Sequence, residues 1–291
     1  MSVNHGPRAD SDPAPMAAIE RPRLGFRDSA VERIYAMILR HFYVLKTSWP
    51  RLLEMAYWPT MQMVIWGFFS TYLYAKSSLL TGAFGVLLAA VMLWDVLFRG
   101  QLGFSLSFLE ELWSRNLANL FCSPLRPIEH VAALIVIALV RALIGVLPAM
   151  FLAIPFYGFS IFSLGLALPA FFFNLLLMGC GLGLIVAAMI LRFGLAAENL
   201  AWFLVFLLAP VTCIYYPVAV LPHWLQPIAW SLPSTYVFEG MRAVLFEHHF
   251  RWSYFMASIA CNVVLMALGI GIYLFAFAMA RRKGLLLQVG E

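Results

Sequence analysis

Apolar residues dominate six stretches of the chain, at about 55–75, 84–106, 128–154, 163–191, 197–216 and 252–280. At about 1.5 Å of rise per residue, each would cross a hydrocarbon core about 30 Å thick as a helix. The pattern predicts an all-α membrane protein with six transmembrane helices. Residues 28–50 are patterned differently. Val31, Ile34, Tyr35, Ile38, Phe42 and Leu45 recur at helical spacing, while Glu32, Arg33, Arg40 and Lys46 fall largely elsewhere. This predicts an N-terminal amphipathic helix, capped by Asp28 or Ser29 and stopped by Pro50. It would lie on the membrane surface or pack on a cytosolic partner. Residues 1–27 are rich in Pro, Asp and Arg and hold no apolar run. They read as a disordered cytosolic tail rather than a signal peptide. Residues 51–283 would form the membrane domain, and 284–291 a second cytosolic tail.

Two breaks between the runs stand out. Residues 108–130 are the longest polar interruption in the first half of the chain. Glu110 and Glu111 open it, and Leu112, Leu117, Leu120 and Phe121 follow at near-helical spacing. Ser123-Pro124 closes it, because proline lacks a backbone donor and clashes with the preceding turn. The break reads as a short amphipathic helix over 110–124, on which a soluble partner could push, or as an ordinary cytoplasmic loop. The second break, Tyr216 to Phe246, is apolar and aromatic but cut by Pro217, Pro222, Pro227 and Pro233. No piece of it is long enough to span. Irregular backbone at membrane depth survives only when buried in protein or lining a wet cavity. This predicts a re-entrant pair of short helices, dipping into the outer leaflet before span six.

Lysine and arginine positions orient the chain. With both termini inside, the inner segments hold fourteen: Arg8, Arg21, Arg23, Arg27, Arg33, Arg40, Lys46, Arg51, Arg115, Arg126, Arg192, Arg281, Arg282 and Lys283. The outer segments hold three, Lys76, Arg242 and Arg251, and two more, Arg99 and Arg141, lie within spans. The asymmetry predicts an N-in, C-in topology. It also accounts for the formal net charge of +5 without a nucleic-acid partner.

Composition agrees. Hydrophobic residues make up 63% of the chain and charged residues 11%, with a mean hydropathy of +0.88. A soluble domain is nearer half apolar and a quarter charged, so a soluble globular class is excluded. Cys122, Cys180, Cys213 and Cys261 are far apart with no C-x-x-C spacing, so neither a zinc site nor a disulfide framework is expected. A phosphate-binding loop ends in Gly-Lys-Ser/Thr. The Lys-Ser/Thr pairs here, Lys46-Thr47 and Lys76-Ser77, do not follow a glycine.

The whole arrangement, over about residues 30–280, resembles the membrane subunit of an ABC-2 type exporter. Glu110-Glu111, Arg115 and Leu120-Phe-Cys-Ser-Pro-Leu-Arg-Pro-Ile-Glu129 look like the family's coupling helix. Pro210 to Pro217, Leu221-Pro-His-Trp-Leu-Gln-Pro-Ile228, Leu232-Pro-Ser-Thr-Tyr236 and Glu239-Gly-Met-Arg242 look like its pattern before the last span. The second block is the more specific. The resemblance implies a half-transporter of the bacterial inner membrane. Two copies would pair about a two-fold axis, and each would sit on a separate ABC ATPase that binds the ATP and Mg. Glu110, Glu111, Arg115, Leu120, Pro124 and Arg126 would then seat the coupling helix on the ATPase. The chain itself would carry no cofactor, metal site or catalytic residue.

Other polar residues invite two readings each. Asp95 and Arg99 share a face of span two, one turn apart, and Arg141 lies in span three. A charge near the midplane costs roughly 2.5–3.5 kcal/mol on insertion scales, so it needs a partner or water. Asp95 could neutralise Arg141 or Arg99, or the three could line a path for an anionic head. Glu198 could cap span five or gate its cytoplasmic mouth. Glu239 and Arg242 could hold the re-entrant hairpin together or touch substrate, and Trp224 stands on the same segment. Trp66 and Phe206 could line a path for a lipid tail or stack on sugars, or simply pack. Gly179, Gly181 and Gly183 would let helices approach closely. His248-His249 would point about 100° apart on a helix and make a poor metal site.

These features favour the permease of an ATP-driven exporter for an amphipathic or hydrophobic cargo such as a lipid, lipid-linked glycan or drug. A polysaccharide exporter is the alternative. An intramembrane enzyme would need a nucleophile–base set or metal ligands at membrane depth, and the chain holds no His-Glu-x-x-His or Gly-x-Ser-x-Gly. An ion-coupled carrier would show broken helices in both halves, whereas here only the second half is broken.

Overall fold

The computed structural model describes residues 29–76 and 83–283. The expected tails at 1–27 and 284–291, and Asp28, lie outside the described residues. Among the described residues the regular structure is entirely helical.

The first helix, α1 (Ala30–Thr47), is capped by Ser29, whose hydroxyl accepts from the Glu32 amide at 3.3 Å. The capping hydroxyl satisfies one of the orphan amides of the first turn. Only part of the face its apolar spacing picks out packs inward. Met37, His41 and Leu45 are buried, and Met37, with Ile34 and Ile38 partly buried, packs against Leu120, Leu125 and Ala133. Val31, Tyr35 and Phe42 point outward and are 75%, 63% and 47% exposed. The helix therefore carries two apolar strips, one for protein and one for its surroundings. Ser48 breaks the helix, and Pro50 sits in the first turn of α2 (Trp49–Lys76), where its missing amide donor costs nothing.

Among the described residues, four helices are long and apolar enough to cross a membrane: Gly85–Trp113, Pro127–Tyr157, Ala167–Ala197 and Trp252–Arg282. They correspond to α3 (Ala83–Trp113), α5 (Pro127–Tyr157), α6 (Ala167–Phe193) with its 3-10 extension, and α10 (Trp252–Arg282). The other two expected spans depart from the pattern. α2 has the length but is diluted by Thr60, Gln62, Ser70 and Thr71. Thr60 and Thr71 return their hydroxyls to the Ala56 and Gly67 carbonyls at 2.8 and 2.9 Å. The stretch 197–216 is helical only as α7 (Leu200–Leu208), with a 3-10 continuation to Val211. At about 1.5 Å per residue that is about 18 Å, too short to cross alone. Pro210 ends the regular ladder, and Cys213 turns the chain with φ 57°.

The expected helix over 110–124 is also divided. α3 runs on through the polar break, so Glu110 and Glu111 form its last turn. Arg115 then adopts the left-handed conformation (φ 53°), and the Asn116 amide reaches back to the Glu111 carbonyl at 3.0 Å. This is the turn that usually closes a helix on glycine. A separate short helix, α4 (Leu117–Cys122), follows.

The remaining helices are α8 (Gln226–Trp230) and α9 (Pro233–Glu247), each opened by a proline in its first turn. α6 is the central helix, sandwiched between α3 and α10. A Cβ on Gly179 would lie 2.6 Å from the Leu97 carbonyl oxygen of α3, and one on Gly181 2.9 Å from Leu265 of α10. A small polar network ties the same layers. Asn262 donates to the Asn174 side-chain oxygen at 2.9 Å, and Ser258 donates to it at 3.0 Å. Replacing Gly179 with Val is expected to force α3 and α6 apart and cost at least about 1–3 kcal/mol. The thermal unfolding midpoint of the purified protein in detergent checks this, and an unchanged midpoint would contradict the close approach.

Candidate functional site

A cavity of about 360 Å³ lies between α2, α3, α5 and α7. Its polar wall is made of Arg51, Glu54 and Gln62 from α2, Asp95, Arg99 and Glu110 from α3, and Arg141 from α5. Its apolar wall includes Trp58, Trp94, Phe98, Trp113, Trp202 and Phe206. Four residues expected along a path, Asp95, Arg99, Arg141 and Phe206, thus meet in one place. Phe206 packs on Phe98 with ring centroids 5.3 Å apart.

The pairing differs from the sequence expectation. Arg141 does not neutralise Asp95. It donates to Glu110 at 2.7 Å, and Arg51 donates to the other oxygen of Glu110 at 3.0 Å. α5 stands beside α3 with Arg141 at the level of Gly103, where a Cβ would lie 3.4 Å from the Arg141 Cβ. Its side chain runs toward the Glu110 end, away from Asp95. Arg99 is 7% exposed and has no ion pair or hydrogen bond among the described residues. Asp95 and Glu54 are both close enough to act on it electrostatically without bonding to it.

The second carboxylate points the other way. Glu111 is 3% exposed, accepts from Arg40 of α1 at 2.8 Å, and takes Asn116 at 3.0 Å. His41 approaches it at 3.5 Å. Glu129, at the start of α5, receives Arg33 of α1 through two nitrogens at 2.6 and 2.9 Å. Its other task is local, accepting from the Arg126 amide at 3.0 Å. Adjacent residues on a helix point about 100° apart, so one Glu-Glu pair clamps α2 and α5 on one side and α1 on the other.

The residues expected to seat an ATPase are therefore split. Glu110 and Glu111 are turned inward and Leu120 is buried against α1, whereas Arg115, Pro124 and Arg126 are exposed. An outward docking surface built on the two glutamates is not what this fold presents. The exposed knuckle between α3 and α5 is arginine- and serine-rich instead.

Trp66 and Glu198 do not line the cavity, but each is one contact from it. Trp66 donates to Gln62 at 3.1 Å and stacks on Tyr215 at 4.8 Å, 19° from parallel. Glu198 accepts from Trp113 at 3.4 Å and caps nothing, because the α7 start makes no side-chain cap bond. The polar α2 residues Arg51, Glu54 and Gln62 were not among the sequence candidates. Their signal was the i, i+3, i+7, i+11 spacing of Arg51, Glu54, Trp58 and Gln62 on a helix otherwise read as a plain span.

The broken segment is held from behind by one ion pair. Arg242 of α9 donates to the carbonyls of Cys213, Ile214 and Tyr216, the latter two at 3.0 and 2.9 Å. Glu239 accepts the Val218 amide at 2.8 Å and pairs with Arg242 at 3.2 Å. Pro217 leads into a 3-10 turn at Val218–Val220, and Pro222 follows it. Pro227 and Pro233 start α8 and α9. Trp224 is 71% exposed. The pair serves the hairpin rather than the cavity.

Four spanning-length apolar helices among the described residues, two of which wall a charged cavity, define a multi-pass membrane protein with an internal polar site. The family model for ABC-2 type transporters matches residues 33–246, so the chain belongs to that family and is the transmembrane subunit of an ABC transporter. Members of the family pair with an ABC ATPase. No curated protein matches the chain in sequence.

Removing the Glu110 carboxylate would leave Arg141 buried without its counter-charge, a loss of about 3–5 kcal/mol. Glu110→Ala is therefore expected to lower the thermal unfolding midpoint, and Arg141→Met in the same chain to recover most of the loss. A double variant no more stable than the single one would show that the pair is not a clamp.

Proposed function

We propose that this chain is the permease half of an ATP-driven exporter that moves an amphipathic or hydrophobic cargo out of the cytoplasm or inner leaflet. The observation that carries this reading is the cavity itself. Its wall combines buried charge with an aromatic face, between helices that also meet the exposed knuckle. ATP and Mg would be bound by the partner ATPase. Two copies of the chain would form a two-fold dimer in the bacterial inner membrane, each on its own ATPase.

The reading places both termini in the cytoplasm with six crossings, supported by the lysine and arginine asymmetry. In it α2 makes the first crossing. The fifth is made by α7 together with the irregular backbone that follows, and α8 and α9 form the re-entrant hairpin. The burial of Thr212, Cys213 and Ile214, at 0%, 0% and 2% exposed, supports irregular backbone at membrane depth. The lever would be the knuckle at Arg115, Pro124 and Arg126. A push there reaches α3 and α5 directly and α1 through Glu111 and Glu129. In the first instant it would move both walls of the cavity as one body.

A second reading has one observation in its favour. Trp58, Trp94, Trp113 and Trp202 all line the cavity, and indole faces stack well on sugar rings. A lipid-linked glycan or polysaccharide cargo would use them.

Two measurements test the proposal. The chain co-purified with its ATPase and placed in lipid should hydrolyse ATP faster with a transported amphipath present; uphill movement by the isolated chain would sink the proposal. Cys122 lies exposed on the knuckle, and Cys180 is fully buried. A membrane-impermeant maleimide should modify Cys122 in inside-out vesicles only and leave Cys180 untouched. Labelling of Cys122 from the outside would invert the topology.

A further inference from the structure

We propose that Arg99 is the anchor for a single anionic group, phosphate or carboxylate, on the amphipathic cargo. The proposal deepens the exporter reading and rests on it. Two arginines are buried among the described residues, Arg99 and Arg141, and both line the cavity. Arg141 is committed to Glu110 at 2.7 Å. Arg99 makes no hydrogen bond or ion pair among the described residues, with only the more distant fields of Asp95 and Glu54 acting on it, and a guanidinium left unbonded at that depth is costly.

The sign of the missing partner follows from what is unsatisfied. Two buried polar atoms of cavity-lining residues lack a hydrogen-bond partner, Arg99 Nε and Arg141 Nε. Both are donors, so the absent species supplies acceptors. A guanidinium presents its donors as a planar fork that matches a carboxylate or phosphate. The other charges facing the cavity divide. Arg51 and Arg141 share the one carboxylate of Glu110, which leaves a surplus positive charge at that end, whereas Asp95 and Glu54 both act electrostatically on Arg99 without bonding to it. Asp95, one turn from Arg99, is the charge that would instead favour a cation, and the test includes that outcome.

Space around Arg99 is also reserved. A Cβ on Gly145 of α5 would lie 3.0 Å from the Arg99 Cδ and 3.1 Å from its Nε. The glycine lets the side chain pass between α3 and α5 and hold its place at the wall. Phe98, Phe206, Trp94 and Trp202 complete an aromatic surface beside it for the apolar part of the cargo.

The test uses the chain with its ATPase in uncharged maltoside micelles. Brominated dodecyl phosphate is titrated while tryptophan fluorescence is read, since Trp94 and Trp202 line the site. Saturable quenching is expected. Arg99→Gln should weaken it about tenfold or more, the loss of one charge-assisted contact, while Arg99→Lys keeps most of it. Brominated dodecyltrimethylammonium should bind more weakly, and inorganic phosphate should compete poorly. Unchanged quenching in Arg99→Gln would overturn the proposal. So would tighter binding of the cation, which makes Asp95 the anchor, or inorganic phosphate competing as well as the amphipath. If Arg99→Gln yields no folded complex by size exclusion, the charge series on the native protein decides. ATP-driven efflux of the same probe is read separately. Arg99-dependent binding without efflux would sink the exporter reading and leave the anchor standing; efflux unaffected by Arg99→Gln would sink the anchor alone.

Discussion

A charge or a bare backbone group withdrawn from water must be met by something of opposite polarity, and in this protein that requirement sets how α1, α2, α3 and α5 meet. Glu110 and Glu111 are neighbours on one helix, yet they face different partners. The first gathers Arg51 and Arg141 and so joins α2, α3 and α5. The second gathers Arg40 and with it the N-terminal helix. Glu129 repeats the second contact from α5 through Arg33. Apolar packing in lipid discriminates poorly between helix faces, because hydrocarbon is as apolar as leucine. Three carboxylates with fixed arginine partners supply the register that packing alone would leave loose.

The same rule governs the second half. The chain abandons regular helix after Val211, which frees carbonyls at Cys213, Ile214 and Tyr216. One arginine from a later helix collects all three, and Glu239 holds both that arginine and the Val218 amide. An irregular turn thereby becomes as well satisfied as a helix. Trp66 stacks on Tyr215, so this turn also forms a contact with α2 beside the cavity. Movement of α2 relative to α3 and α5 would be felt at the hairpin without a change of secondary structure.

Arg99 is where the rule is left incomplete. Asp95 and Glu54 act on it without bonding to it, and a glycine makes room for it. An unmet donor on the wall of a cavity marks a place where a group from outside the chain can bind. A transporter needs such a place. Binding must be favourable enough to draw cargo out of water and incomplete enough to let it go when the walls move.

Much of this was legible in the residues alone. Length and apolarity of the runs specify a helical membrane protein, because a bilayer admits few other solutions. The proline spacing at 217–233 already forbids a spanning helix there. Asp95, Arg99 and Arg141 were recognisable as residues with something to do, since charge at that depth is expensive. What the residues could not reveal was direction and partnership. Helical periodicity places Glu110 and Glu111 on a polar break but not which way they face, and they turn inward to arginines 59 and 31 residues away for Glu110. It groups Val31, Ile34, Tyr35, Ile38, Phe42 and Leu45 as one apolar face of α1, whereas Val31, Tyr35 and Phe42 face outward and the buried strip runs through Ile34, Met37, Ile38, His41 and Leu45. Whether Asp95 or Glu110 answers Arg141 depends on the level at which α5 slides along α3, and no local pattern encodes that. The sequence by itself determined the helices and the residues that needed partners; the tertiary structure decided who the partners are, because a counter-charge is found across space and not along the chain.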